Sequence, residues 1–165
     1  MSYDIYIGQA VVRSDFDKKY EEFYAEWVVE PQSLIGAPVF PNDGMTSNGN
    51  SRHPGYSQWS GFLDKCGLHD LFFNKEEGLM REHPGIALLK PSHLERVREA
   101  LAKWKLTASG KPPGFGSFPK FIDGEWKSVD EDTYDSILAR LLWLEFWMDW
   151  ALRECECEIP AVYNH

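Results

Sequence analysis

The run ILARLLWLEFWMDWAL, residues 137–152, sets the architecture of this chain. Apolar residues recur in and around it with helical spacing, which predicts a helix with one continuous core face. That face comprises Tyr134, Ile137, Leu138, Leu141, Leu144, Met148, Ala151, Leu152 and Cys155. Four further aromatic residues, Trp143, Phe146, Trp147 and Trp150, make the other faces apolar as well. A helix that is apolar nearly all round is buried or covered by a partner, so we predict a central helix.

The ends of this helix are predicted from charge and composition. Acidic residues at Asp130–Asp132 suit a helix N-terminus, where the helix dipole favours negative charge. The apolar pattern continues to about Cys155. Arg140, Glu145 and Asp149 interrupt the apolar run, which is shorter than the roughly 20 residues of a membrane span. We therefore expect no membrane-spanning segment.

Two segments nearer the beginning of the chain have the composition of strands. Residues 3–12 alternate Ile5 and Ile7 with polar neighbours, which is the period of a strand with one buried face. Residues 14–30 fit either a helix or a strand. The apolar run Trp27–Val29 contains two β-branched residues and is soon followed by Pro31, which favours a strand over the second half of this segment. The two strands are expected to pair antiparallel.

Shorter helices complete the predicted elements. The first has apolar residues with helical spacing at Trp59, Phe62, Leu63 and Cys66. Ser57 is its predicted N-cap, and Gly67 suits the left-handed position after its end. Ser92 and Glu95 form a capping-box pattern that opens a second helix. Residues 68–73 are an apolar run of either type, and residues 159–165 are apolar enough to dock on the body.

These elements predict an α+β fold in one globular domain, residues 1–165. We expect a small antiparallel sheet with three or so helices packed on one side and the long C-terminal helix at the centre. The chain has 165 residues and 43% apolar content, which is enough to bury a real core.

The charge of the chain narrows the choice of partners. A formal net charge of −9 repels phosphate backbones, so direct binding of nucleic acid is not expected. The same charge favours a basic protein surface as a partner, and an acidic inhibitor of a basic host protein is therefore one functional hypothesis. Candidate acidic residues for such a surface are Glu21, Glu22, Glu76, Glu77 and Asp130–Asp132.

Cysteine and histidine usage exclude several classes of site. The three cysteines, Cys66, Cys155 and Cys157, form neither a disulfide framework nor a zinc motif, which favours the reducing cytoplasm. Residues 1–8 carry no secretory signal. The five histidines have no metal-binding spacing, and no phosphate-binding or dinucleotide-binding motif occurs. We therefore predict no metal and no cofactor in a cytoplasmic protein whose oligomeric state is open.

A long polar loop, residues 36–55, is the predicted functional region. It is rich in Gly, Pro, Asn and Ser, and loops of this length inside a domain are usually functional or disordered. A guanidinium suits carboxylate or phosphate, and aromatic rings offer stacking faces. The predicted ligand-binding residues are Asn42, Asp43, Asn50, Arg52, His53, Tyr56 and Trp59. Our leading hypothesis is a non-enzymatic protein that captures a small polar or nucleotide-like ligand at residues 42–59.

Two other constellations carry alternative hypotheses. His53 and His83, each followed by Pro and Gly, are candidates for a general base, and a hydrolase using either of them is a third functional hypothesis. Glu145 and Asp149 lie one helical turn apart and can pair with a basic side chain. Arg153 suits Asp149, while Arg140 or Arg52 would be needed if the carboxylates are buried.

Several strings of the chain resemble a family of small bacteriophage or prophage proteins without an assigned activity. These strings are residues 3–8, 39–43, 52–57, 78–85, 142–147 and 160–165. None of them is a catalytic signature, so the resemblance carries over no active-site residue. It implies a cytoplasmic role in an infected cell, where sequestering a nucleotide-like host signal would fit.

Overall fold

The computed structural model of the protein describes residues 1–13, 26–43, 48–107, 110–116, 120–127, 133–156 and 159–165. In these ranges the chain is α+β, with seven strands and four helices. The strands are β1 (Ile5–Val12), β2 (Trp27–Val29), β3 (Ser51–Arg52), β4 (Gly85–Leu88), β5 (Lys120–Ile122), β6 (Glu125–Lys127) and β7 (Ile159–Asn164). The helices are α1 (Tyr56–Cys66), α2 (His69–Phe73), α3 (Pro91–Thr107) and α4 (Ser136–Arg153).

The main sheet is antiparallel, with strand order β2-β1-β7-β4, and β3 also pairs with β1. The predicted pairing of the first two strands is confirmed, since Val11 lies opposite Val28. β2 and β3 lie end to end along the edge of β1 that β7 leaves open. Asn50 fills the break between them, because its Nδ2 donates to the carbonyls of Ile7 and Glu30. The side chain of Asn50 thus connects β1 to the segment between β2 and β3, where the two short strands leave a gap.

Helix α4 is the centre of the core, as its apolar pattern predicts. Trp143 and Trp147 are completely buried, and the Nε1 of Trp143 donates to the carbonyl of Gly49 at 3.0 Å. α4 packs on β1 and β7 and against α3, while α1 contacts α2 and α3. Ile5, Ile7 and Val162 of the sheet join this core. Burial of each large apolar side chain here contributes roughly 1.5–3 kcal/mol to the stability of the fold. α4 is therefore the main element against which the others pack.

Three predicted helix starts are displaced in the structure. α1 is capped by Gly55 rather than Ser57, because the backbone N–H of Gly55 donates to Gln58 Oε1. α3 begins at Pro91, a residue favoured in the first helical position, so Ser92 lies inside the first turn. α4 begins after Asp135, whose Oδ1 accepts from the backbone of Leu138. Residues 130–132, the predicted start, lie outside the described residues, as does the first part of 14–30.

The segment 159–165 does more than dock on the body. It forms β7, which pairs with β1 from Ile5 to Ala10 and with β4 from Gly85 to Leu88. β5 and β6 form a separate hairpin, with positive φ at Asp123 and Gly124. Two successive residues with positive φ are typical of the tight turn that joins adjacent antiparallel strands.

Candidate functional site

The side chain of Arg52 is buried at the end of β3. Pairing of β3 with β1 at Ile5 holds the residue in place, and its Nη2 donates to Asp43 Oδ2 at 2.7 Å. The two side chains are only 8% and 4% exposed. Asn42, next to Asp43, has a φ of 60° and donates its Nδ2 to the carbonyl of Phe115. The structure therefore brings together three predicted site residues, Asn42, Asp43 and Arg52.

A second guanidinium, that of Arg140 on α4, lies beside this pair. Its Cζ is 5.2 Å from the centre of the Phe115 ring, and Arg52 Cζ is 4.9 Å from the same centre. Arg52 also lies 5.1 Å from the Trp143 ring, and Arg140 lies 5.7 Å from the Phe62 ring. Two cations thus share one aromatic ring, which attracts both while their charges repel each other.

Burial perturbs both guanidinium groups. Burial, followed by the charge of Arg52, lowers the pKa of Arg140 to about 10, and Asp43 only partly opposes this effect. Burial also lowers the pKa of Arg52, although Asp43 opposes it through both its charge and its hydrogen bond. Both side chains stay protonated at neutral pH, so the site holds two positive charges.

One carboxylate faces these two charges in the part of the chain that the structure describes. There, Arg140 makes ring contacts but neither a hydrogen bond nor an ion pair. The Nε of Arg52 is buried without an acceptor. Arg140 is only partly buried, so part of its side chain reaches solvent. We call Asp43, Arg52, Phe115 and Arg140 the guanidinium cluster; it has a surplus positive charge at an opening to solvent.

Asn50 and Trp59 have structural roles. The Oδ1 of Asn50 accepts from the backbone of Gln32, which completes the use of its amide group between β2 and β3. Trp59 is 0% exposed and packs against Phe62 and Phe72, with ring centres 5.1 and 5.5 Å away. Asn50 is used in hydrogen bonds and Trp59 in core packing, so neither presents a free face to a ligand.

His53 and Tyr56 lie at the edge of the sheet where β1 begins, away from the guanidinium cluster. His53 Nδ1 lies 2.5 Å from Asp4 Oδ1, with the two side chains 29% and 44% exposed. Tyr56 Oη lies 3.1 Å from His83 Nε2. The set of seven predicted site residues is therefore divided between the guanidinium cluster, the core and this edge.

The two His-Pro-Gly strings of the chain converge at that edge. His83 Nδ1 lies 2.8 Å from Asn164 Oδ1, and Asn164 is opposite both Ile5 of β1 and Gly85 of β4. Tyr3 donates its backbone N–H to the carbonyl of Pro54 and so joins the first string to the same place. Each histidine thereby has an oriented ring nitrogen, His53 through a carboxylate and His83 through an amide.

The carboxylates of α4 pair with residues other than Arg140 and Arg52. Arg98 on α3 donates to Glu145 Oε1 and to Asp149 Oδ1, each at 2.9 Å, and Arg153 donates to Asp149 Oδ2 at 2.6 Å. The predicted pairing of Arg153 with Asp149 is confirmed.

Of the acidic residues predicted to face a basic partner, two are described. Glu76 and Glu77 are exposed in the turn that follows α2. Their backbone N–H groups donate to Asn74 Oδ1, which holds the turn. Residues 21, 22 and 130–132 lie outside the described residues. The inhibitor hypothesis stays a prediction.

Depressions on the described surface include a groove on the sheet and a shallower one beside Tyr56. A groove of about 440 Å³ lies on the face of the sheet opposite α4, between Tyr6, Val29 and Tyr163, and Asp4 is at its rim. None of the seven predicted site residues lines it. A shallower depression of about 380 Å³ is bordered by Tyr56 and Tyr3 together with Ser60 and Phe73. A reactive group at Tyr56 would therefore be open to solvent.

Three important residues were not among the predicted site residues. Arg140 was considered only as a partner for carboxylates, because its position on an apolar helix says nothing about Arg52, 88 residues away in sequence. Asp4 and Asn164 orient the histidines, but both come from distant strands. The His-Pro-Gly string occurs twice in the sequence, but its repetition alone does not predict that the two histidines lie close together.

Comparisons with protein-family models, curated proteins and solved structures gave no match to this chain. Within the described ranges, every helix is too short or too polar to span a bilayer. The same ranges contain no group of three His, Cys, Asp or Glu side chains placed to hold a metal ion. The geometry of the guanidinium cluster and of the histidine edge is therefore the basis for functional inference.

Proposed function

We propose that this chain is a binding protein for a small anion, and that the guanidinium cluster is its recognition site. The observation that carries the proposal is the charge imbalance: Arg52 and Arg140 are largely buried together, and Asp43 is the one carboxylate paired with them in the described chain. An anion placed against Arg140 would supply the missing negative charge. Guanidinium groups bind carboxylate and phosphate in a planar, two-pronged manner.

Within the described residues Arg140 has neither a hydrogen bond nor an ion pair, and holding its charge there is costly to the protein without a ligand. Burial lowers the pKa of Arg140 to about 10, well below its ordinary value. Each pKa unit corresponds to about 1.4 kcal/mol, so holding this guanidinium charged at neutral pH costs about 3 kcal/mol. Strongly perturbed groups cluster at functional sites, since structural needs alone are better met by apolar side chains. The cost supports a binding role for Arg140.

The aromatic surroundings favour a ligand that carries a ring as well as a charge. The Phe115 ring lies within 5.2 Å of both guanidinium carbons, and Asn42 is anchored to the Phe115 carbonyl. Aromatic and guanidinium surfaces both stack on nucleobases. We therefore propose a nucleotide-like anion as the ligand, bound without turnover.

We place this function in the cytoplasm of an infected cell. The free thiols of Cys66 and Cys155 are compatible with a reducing compartment. The resemblance to small phage proteins supports the same setting, in which sequestering a host nucleotide would alter signalling without chemistry.

Calorimetric titration tests the proposal. The protein is titrated with inorganic phosphate and with a panel of nucleoside mono-, di- and triphosphates, in parallel with Arg140→Met and Arg153→Met. Arg153 is the matched control, because it lies on the same helix but is exposed and paired with Asp149. We expect binding of at least one nucleotide, a loss of at least about tenfold in Arg140→Met, and unchanged affinity in Arg153→Met.

Stability of the free protein gives an independent readout. Removing an unpaired, largely buried charge should raise the free energy of unfolding of Arg140→Met by about 1–3 kcal/mol in urea denaturation. Arg140→Met should thus be more stable than the unsubstituted protein and yet bind the nucleotide more weakly. An absence of binding to every member of the panel, or equal affinity in Arg140→Met, would contradict the proposal.

A further inference from the structure

We propose that Tyr56, His83 and Asn164 form a nucleophilic triad for an activated, uncharged ester, with Tyr56 Oη as the attacking atom. The site lies at the end of the sheet where β1 and β4 begin and β7 ends. It shares no residue with the guanidinium cluster. Tyr56 Oη is 3.1 Å from His83 Nε2, and His83 Nδ1 is 2.8 Å from Asn164 Oδ1. A hydroxyl, a base and a group that orients the base, all within hydrogen-bond reach, are the general arrangement of an activated nucleophile.

The hydrogen bonds of Asn164 fix the tautomer of His83. Asn164 is 1% exposed, and its Nδ2 donates to the carbonyls of Glu82 and Gly85 at 3.0 and 3.3 Å. The amide is therefore oriented with Oδ1 towards His83, which makes His83 Nδ1 the donor. In the neutral ring Nε2 is then an acceptor, and the hydroxyl of Tyr56 donates to it. The base is thus poised to take the proton of Tyr56.

The surroundings hold the tyrosine while leaving it accessible. The Tyr3 ring centre lies 4.2 Å from that of Tyr56 and 5.2 Å from that of His83, so it braces both groups. Tyr56 also borders the shallow depression with Ser57 and His69, where a substrate can approach from solvent. Tyr56 is the first residue of α1, whose cap Gly55 has no side chain.

The charges at the site select the class of substrate. The hydrogen bonds and ring contacts of Tyr3, Tyr56 and His83 in the described chain include no Lys or Arg side chain. A phosphate ester would lack the cations that neutralise its oxygens, so an uncharged carboxylic ester fits better. The same contacts include no second acid, so the leaving group must depart readily, as an aryloxide does.

The proposed reaction is hydrolysis in two steps. Tyr56 Oη attacks the ester carbonyl carbon, its proton passes to His83 Nε2, and the tetrahedral intermediate expels the aryloxide, which takes that proton. An acyl-tyrosine remains. Water then attacks the acyl carbon and gives a proton to His83, the bond to Tyr56 Oη breaks, and the phenolate recovers the proton as the carboxylic acid leaves. The balance is one ester and one water consumed, one acid and one phenol formed.

The test uses p-nitrophenyl acetate and p-nitrophenyl phosphate with the purified full chain. With the acetate we expect release of p-nitrophenol and an acetyl group that peptide mass spectrometry locates on Tyr56 of the unsubstituted protein. This mapping requires no variant to fold. Acetylation spread over lysines, with Tyr56 unmodified, would overturn the proposal. Turnover of the phosphate but not of the acetate would overturn the assigned substrate class.

Variants separate the roles within the triad. Tyr56→Phe should abolish the adduct, and His83→Gln should slow acylation by about 100-fold or more. The matched controls Tyr134→Phe and His93→Gln lie outside this depression and should react as the unsubstituted protein does. Equal rates in all four variants, with circular dichroism showing native folds, would contradict the assignment.

Asn164 is tested as a positioning residue. Asn164→Asp and Asn164→Ala both lose the bonds to the carbonyls of Glu82 and Gly85, so both should be less stable. Only Asn164→Ala also loses the acceptor for His83 Nδ1. We expect Asn164→Asp to keep most of the acylation rate and Asn164→Ala to lose it, a difference that a merely structural role would not produce.

Discussion

Two glycines, Gly78 and Gly61, differ in whether the surrounding structure leaves space for a side chain. Gly78 ends the turn after α2, where an added Cβ would lie 2.5 Å from the carbonyl oxygen of Asn74 and 2.6 Å from that of Phe72. Gly61 lies inside α1, where an added Cβ would meet nothing within 4 Å. The first position therefore requires glycine, and the second only tolerates it.

Alanine at these positions should change stability in opposite directions. Gly61→Ala should raise the free energy of unfolding by about 0.5–1 kcal/mol, because alanine loses less backbone freedom on folding. Gly78→Ala should lower it by about 2 kcal/mol or more, since backbone atoms cannot yield as a flexible side chain would. Urea denaturation followed by tryptophan fluorescence measures both, and a Gly78→Ala variant as stable as the unsubstituted protein would refute the close approach.

At the residue scale, the sequence predicted residue types better than their partners. Arg52 was singled out because a guanidinium in a polar loop suggests anion recognition, and the structure places it with Asp43 as a buried pair. The sequence contained no sign that Arg140 would lie beside it. Trp59 was predicted both in the core face of α1 and in the ligand site, and only the first agrees with its complete burial. Whether such a residue lies in the core or in a site depends on contacts between segments that are far apart in sequence.

Among the elements, α3 and α4 are joined by ion pairs of one arginine, Arg98, in addition to their packing. Arg98 donates to both Glu145 and Asp149, and Arg153 donates to Asp149 from the next turn of α4. Partial burial raises the pKa of Asp149, but the hydrogen bonds from Arg153 and Arg98 outweigh this effect, and the pKa lies below its ordinary value. The ionised carboxylate is therefore more favourable in the folded chain than in the unfolded chain.

This cluster predicts a modest stability that depends on pH and salt. Arg98→Met should cost about 0.5 kcal/mol at neutral pH and low ionic strength, and less in 1 M salt, because the pairs are largely exposed. A lowered carboxylate pKa contributes stability above the ordinary range of Asp and loses it as the pH falls through the folded value. The difference in free energy of unfolding between Arg98→Met and the unsubstituted protein should therefore become smaller below about pH 4. A cost that is constant across pH and salt would show that Arg98 acts by packing alone.

The long elements and β2 could be predicted from the sequence, whereas the other short strands could not. The period of α4 and of β1 extends over several turns or residues, so local pattern identifies each without reference to a partner. β4, β5 and β6 have three or four residues, and β7 includes Pro160. Their strand character comes from pairing with neighbours that lie far away in sequence or across a tight turn, which no local pattern reports.

For the molecule as a whole, β7 is the strand that joins the sheet. It lies between β1 and β4, and Val162 also contributes to the core beneath α4. Removing it would leave one edge of β1 and one edge of β4 without hydrogen-bond partners and would expose the core. The predicted α+β architecture with a central helix is confirmed, and this closing strand was the part that the sequence did not reveal.

Deleting residues 159–165 should therefore abolish the cooperative unfolding transition. We expect the truncated chain to lose the sigmoidal urea curve of the intact chain and to bind a hydrophobic dye. Ile159→Thr, in the same strand but at a side chain that is 39% exposed, should change stability by less than about 1 kcal/mol. A truncated chain that retains a transition of the same steepness would show that β1 and β4 can be held by α4 alone.

The distance between β1 and β7 along the chain also has a consequence for synthesis. About 150 residues separate the paired segments, so β1 leaves the ribosome long before its neighbour has been translated. During that interval its alternating apolar face has no permanent cover, and the nascent chain must either shelter it against early helices or recruit a chaperone. Slower translation would prolong this exposure, so aggregation during expression should respond to elongation rate.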